Sequence, residues 1–138
     1  MIDRAQIVPI ARTYLGTPYH HEGGVKGVGV DCARLLACVF EECGGQVGVR
    51  ASGLPKVGDV FEIMCGEIEQ VCELVEGLDY QPNDVLVFRT PAMPNHVALC
   101  TGETMIHAHS GVGWVVEEPI SEMWRKRLVR VYRLRGDI

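Results

Sequence analysis

Apolar positions recur with helical spacing in the first half of the chain and with strand spacing in the second. Ala5, Val8, Ala11, Tyr14 and Leu15 form one stripe and predict a helix over Asp3–Leu15, with Pro9 weakening or kinking its interior. Gly16-Thr17-Pro18-Tyr19 ends that helix and opens a loop carrying five glycines from Gly16 to Gly29. A second helix is predicted from Cys32 to Cys43. Leu35, Leu36, Val39, Phe40 and Cys43 share its apolar face, Asp31 stands at the N-cap position, and Gly44-Gly45 offers the C-cap.

Gln46 to Lys56 reads as loop. Asp59 can cap a third helix running to about Glu76 and closed by Gly77, with Val60, Phe61, Met64, Ile68, Val71, Cys72 and Val75 on its apolar face. Glu62, Glu67, Glu69, Glu73 and Glu76 then form a solvated acidic face. From Asp84 the period changes to two. Val85–Phe88, Val97–Cys100, Thr104–His109, Gly113–Glu117 and Arg127–Leu134 read as strands, and Gly102-Glu103 as a tight turn between two of them. Helices followed by a strand meander predict a single α+β domain over residues 1–138, with N-terminal helices packed on an antiparallel sheet of about five strands.

Composition narrows the function classes. The chain has 138 residues, 47% of them hydrophobic, which suits one folded domain with a real core. A net charge of -5 argues against nucleic acid as a partner. No apolar run is long enough for a membrane span, and no signal-peptide pattern precedes the first helix, so synthesis in the cytoplasm is the expectation. The six cysteines show no CxxC pair or zinc spacing. Cys38 and Cys43 would share one helix, as would Cys65 and Cys72, so apart from Cys32 they read as reduced core residues.

Cys32 is different because of its position. In the first turn of a helix, the dipole and unpaired N–H groups favour a thiolate, which predicts a lowered thiol pKa and a nucleophile, given a nearby histidine. Three of the five histidines fall on the predicted hairpin. With a two-residue turn at Gly102-Glu103, Cys100 pairs with Met105, Ala98 with His107 and His96 with His109. Alternation then sends His96, His107 and His109 to one face, with His107 a diagonal neighbour of His96. A cysteine at a helix start beside a histidine pair on a sheet is the arrangement of a papain-like site. His109 equally suits a polar strand end, and His20 and His21 either line the cleft or face water. A zinc site from His20, His21, His107 and His109 lacks the usual ligand spacing. No metal or cofactor is expected.

The motifs together resemble the NlpC/P60 family of papain-like cysteine peptidases, which cut the peptide stems of bacterial cell walls. The resemblance rests on Gly16-Thr17-Pro18-Tyr19 with Gly23-Gly24, on Asp31-Cys32, on Asn83–Phe88, on Asn95–Leu99 and on Met105–Ala108, in the family's order. The longer signature GTPYHHEGGVKGVGVDCARLL is similar to the branch found in tailed phages and prophages. It implies a tail-associated protein that opens the host wall locally, reaching the periplasm or wall from a virion tail, with tail proteins as partners. Carried onto this chain, it implies Cys32 as nucleophile, His96 as base and then acid, and His107 as the orienting residue, with His109 the other candidate. Tyr19 would reach the cleft, and Asp31 would help hold the free amino end of a stem peptide. By analogy, the bond cleaved would join γ-D-glutamate to diaminopimelate.

One departure affects the substrate. Many members carry Ser-Gly after the cysteine, where this chain has Ala33-Arg34. Arg34 could instead meet a substrate carboxylate. Two rival readings follow: a tail-assembly protein that keeps the fold with little activity, and an amidase or acyltransferase on the same thiol. The basic run Arg125-Lys126-Arg127 with Arg130, Arg133 and Arg135 reads as a polar sheet edge, and Trp114 and Trp124 as core or cleft wall.

Overall fold

The structure is a computed structural model that describes residues 3–45 and 60–136. The Gln46–Lys56 loop and the Asp59 cap lie outside the described residues. The first predicted helix is divided. Asp3 caps a single 3-10 turn at Arg4–Gln6, and the α-helix proper, α1, covers Ile7–Arg12. Pro9 therefore falls in the first α-helical turn, where a missing N–H costs little, rather than in a helix interior.

After α1 the glycine loop folds into a small hairpin of β1 (Gly24–Val25) and β2 (Gly29–Val30), which the sequence did not announce. Two of its glycines are sterically required. A Cβ on Gly29 would stand 2.7 Å from His20 Cβ, and one on Gly23 would stand 2.7 Å from the Gly29 carbonyl oxygen. Tyr19 bridges to Val30 and Pro18 to Trp114, so this loop is tied to both the hairpin and the main sheet.

The second helix, α2, spans Cys32–Glu42 as its pattern predicts, with Asp31 as the N-cap. The third, α3, covers Val60–Ile68 and stops well short of Glu76. Cys72–Leu74 is instead a strand, β3, on the sheet edge beside β8. Val71 and Cys72 are buried either way, so burial could not distinguish helix from strand. The ladder to β8, with Glu73 opposite Arg133, gives this segment backbone partners that a lone helix end lacks.

The remaining strands are β4 (Val85–Phe88), β5 (His96–Cys100), β6 (Thr104–His109), β7 (Trp114–Pro119) and β8 (Leu128–Leu134). With β3 they form a six-stranded antiparallel sheet in the order β3-β8-β4-β5-β6-β7. Cys100 pairs with Met105 as the hairpin reading required. A short helix, α4 (Glu122–Arg125), capped by Ser121, joins β7 to β8.

The sheet has a core on each face. Val85, Val87, Val97, Leu99, Ile106 and Ala108 pack with Ile7, Leu35, Leu36 and Phe40 of α1 and α2. Leu86, Phe88, Ala98, Cys100 and Met105 pack instead with Ile120, Trp124 and Leu128. Two sequence expectations change here. β8 lies inside the sheet, so its arginines do not guard an edge: Arg130 pairs with Glu62 and Arg133 with Asp84. Trp124 is core, whereas Trp114 is half exposed.

Candidate active site

A cleft of about 510 Å³ opens where the glycine loop, the start of α2 and the start of β5 meet. Tyr19, Asp31, Cys32, Arg34 and His96 all line it. Cys32 is the first residue of α2, and its Sγ donates to the Asn95 carbonyl at 3.6 Å, immediately before His96. The cysteine thus meets the histidine strand at the start of β5 rather than across the sheet face.

The histidines keep the predicted alternation. His96, His107 and His109 share the face covered by Trp124, while their neighbours Val97, Ile106 and Ala108 face the helices. His96 Nε2 stands 2.7 Å from His107 Nδ1, and both residues are buried. His107 Nε2 continues to Glu118 Oε2 at 2.9 Å. The second oxygen of that carboxylate accepts from Trp124 Nε1 at 3.0 Å. The Trp124 indole also stacks on His96, with centroids 5.7 Å apart and planes at 29°.

His109 is used differently. Its Nδ1 accepts from the N–H groups of Gly111 and Val112 at 3.0 and 3.3 Å, which closes the turn between β6 and β7. It does not line the cleft, and His107 makes the contact to His96. His20 and His21 are exposed, with His21 on the cleft rim. Among the described residues, no group of three or more His, Cys, Asp or Glu side chains is placed to hold one metal ion.

Asp31 accepts three hydrogen bonds. Its Oδ1 accepts from the Arg34 N–H at 2.9 Å, and its Oδ2 accepts from Arg34 Nη1 at 2.7 Å and from the Glu22 N–H at 3.0 Å. Both members of the ion pair are buried. Ala33-Arg34 therefore gives the cleft wall a self-neutralised charge pair.

Burial sets the electrostatics of Cys32 and His96. It pushes the Cys32 thiol up to about 11; a hydrogen bond from the Val97 backbone opposes this and the Asp31 charge adds to it. Desolvation outweighs the helix-start effect that predicted a lowered value. Burial also pushes His96 down to about 3, helped by repulsion from His107 and His109. His107 is lowered by burial too, against the pull of Glu118. Burial, Cys32 and Asp31 raise Tyr19. Each shift by itself favours the neutral form, the thiol for Cys32 and the imidazole for His96.

Sequence reasoning missed Glu118, and it placed Trp124 in the core or cleft wall without its contacts to Glu118 and His96. The predicted strand ended at Glu117, one residue short of the carboxylate that matters. Extending the alternation of β7 would have put Glu118 on the histidine face, since it pairs with Met105, two residues before His107.

The model of the NlpC/P60 family matches residues 16–133. No curated protein sequence matches the chain. Among solved structures, the NlpC/p60 domain of the peptidoglycan hydrolase SagA is similar at 21% identity and a TM-score of 0.69, with 96% of this chain and 100% of that one covered. An NlpC/P60 family protein from Bacillus cereus is similar at 18% identity and a TM-score of 0.71, over 96% of this chain and 40% of that one. The peptidoglycan hydrolase RipB of Mycobacterium tuberculosis is similar at 19% identity and a TM-score of 0.68, over 96% and 65%. The chain thus spans the whole SagA domain but two-fifths of the Bacillus cereus protein. At these identities the likeness is one of fold.

Proposed function

This chain belongs to the NlpC/P60 family, and from that premise we propose that it is a cysteine endopeptidase acting on peptidoglycan stem peptides. The observation that carries the proposal is the 2.7 Å contact of His96 with His107, on a histidine that shares one cleft with Cys32. The peptidoglycan hydrolases of like fold supply the substrate class.

In the proposed reaction, His96 takes the thiol proton as Sγ attacks the scissile carbonyl carbon. The resulting oxyanion lies against the backbone N–H of Cys32 at the start of α2, an interaction worth about 3 kcal/mol in comparable sites. His96 then protonates the leaving amine, which departs and leaves a thioester. Water attacks the thioester with His96 again as base, releasing the acid and restoring the thiol. Because each shift favours the neutral form, proton transfer accompanies attack instead of preceding it.

Tyr19 and Arg34 form the wall against which the stem peptide lies. Asp31 holds Arg34 in place through its backbone N–H and its guanidinium, and its charge is already paired with that guanidinium. The bond assigned by family analogy joins γ-D-glutamate to diaminopimelate. The glycine-loop signature supports a tail-associated setting, in which the enzyme opens a host wall locally.

The test is digestion of purified sacculi and synthetic stem peptides by the wild type and by Cys32→Ala, with products identified by mass spectrometry. Hydrolysis by the wild type and none by the variant is the expected result. A wild type that hydrolyses neither substrate would favour the assembly-protein reading. Products joined to an added amine would point to an acyltransferase.

A further inference from the structure

We propose that Glu118 is a positioning residue that sets the tautomers of His107 and His96 in turn, so that His96 presents a bare Nδ1 to Cys32. The inference rests on the peptidase reading for its consequence, though its geometry stands alone.

The chain of donors and acceptors has one consistent solution. Trp124 Nε1 can only donate, and it does so to Glu118 Oε1 at 3.0 Å. A carboxylate can only accept, so the 2.9 Å contact between Glu118 Oε2 and His107 Nε2 puts a hydrogen on that nitrogen. Burial keeps His107 neutral, so its Nδ1 carries a lone pair. The 2.7 Å contact from that Nδ1 to His96 Nε2 then requires the hydrogen on His96 Nε2. The nitrogen left without a hydrogen is His96 Nδ1, the one free to take the thiol proton. Trp124 reinforces the arrangement from the other side, since its buried indole is stacked on the His96 ring while its N–H holds Glu118. One carboxylate thus fixes two imidazoles and the aromatic lid over them.

A glutamine at this position would break the logic without changing the shape. Its carboxamide has one oxygen for two donors. If the oxygen stays with Trp124, its NH₂ faces His107 Nε2 and demands a lone pair there. The His107 hydrogen moves to Nδ1, that of His96 moves to its Nδ1, and the base meets Cys32 with the wrong tautomer. Glu118 is partly exposed, 33% by side chain, so Glu118→Gln should fold normally. The ionisable groups facing the histidine pair are His109 and Glu118, and those facing Cys32 are Asp31 and Tyr19; all but Glu118 are unchanged in the variant.

The experiment is nitrogen-15 NMR of the ring nitrogens of His96 and His107 near pH 7, in the wild type, Glu118→Gln and Glu118→Ala. The expected wild-type result is a hydrogen on Nε2 of both rings. In Glu118→Gln, His96 should shift to Nδ1–H, and in Glu118→Ala both rings should show mixed tautomers. On stem peptides, kcat should fall by about 10- to 100-fold in Glu118→Gln with KM little changed, a loss like that of the partner behind a metal-ligating histidine. Unchanged ring tautomers in both variants would overturn the proposal, as would an unchanged kcat in an active enzyme. The NMR needs no turnover. If neither substrate is hydrolysed, the peptidase reading fails while the tautomer assignment is still decided by its own signals.

Discussion

His96 Nε2 lies 2.7 Å from His107 Nδ1, a direct contact between side chains eleven residues apart on neighbouring strands. The contact commits one nitrogen of His96 and leaves the other for the cleft. It also separates two histidines that look equivalent on the strand. His107→Ala should lower kcat on stem peptides by about 10²-fold, because the base loses its orienting partner. His109→Ala removes the acceptor for the Gly111 and Val112 N–H groups, so its loss should appear mainly in thermal stability. Steady-state rates and melting curves of the two variants check the assignment, and equal losses of kcat would refute it.

The buried histidines should make the fold acid-sensitive well above the range where carboxylates titrate. His96 is held at about 3 in the folded chain, against 6.5 for the free side chain. Below pH 6.5 the unfolded chain takes up a proton that the folded one refuses, so stability falls with pH until about 3. At about 1.36 kcal/mol per unit, His96 alone removes about 2 kcal/mol between pH 6.5 and 5. His107, lowered by its burial, adds in the same direction. Urea unfolding at pH 7.5 and pH 5 measures the slope, and His96→Gln should flatten it. A midpoint that does not move between these values would contradict the burial argument.

A kinetic counterpart follows from the same shifts. In the proposed mechanism His96 must be neutral to act as base; burial holds it neutral down to about 3, while Cys32 is held protonated up to about 11. The free enzyme should therefore show kcat/KM with a broad plateau across neutral pH. A preformed thiolate–imidazolium pair would instead give iodoacetamide labelling of Cys32 that is fast far below the ordinary thiol range. Slow labelling at pH 6, rising steeply above pH 9, is the expected outcome. Fast labelling at pH 6 would show that the ion pair exists at rest.

Much of this site could be read from the sequence because it depends on local rules. Asp31 capping α2 and Cys32 in its first turn follow from one-residue propensities, and the histidine face follows from strand alternation across the Gly102-Glu103 turn. What could not be read depends on non-local burial. Val71 and Cys72 fit a helical stripe as well as a strand, and the pairing of Cys72 with Leu134 of β8 is decided some sixty residues later. The Cys32 thiol was expected to be lowered by the helix start, but desolvation is a property of the closed cleft. Glu118 lay one residue beyond the predicted strand, and only the pairing of β7 with β6 puts it on the histidine face.

The residue after Ala33 offers the last test. Arg34 is buried against Asp31, which also holds the N–H groups of Glu22 and of Arg34 itself. Arg34→Met would leave the Asp31 charge buried with two backbone donors and no cation. The expected loss is about 3 kcal/mol of stability, because an uncompensated buried charge costs more than the pair contributed. Asp31→Asn combined with Arg34→Met should recover a large part of that loss, since no charge then remains to be desolvated. Urea denaturation of the single and double variants gives the comparison. If the double variant is no more stable than Arg34→Met, charge burial is not what makes the arginine necessary, and packing along its side chain becomes the better account.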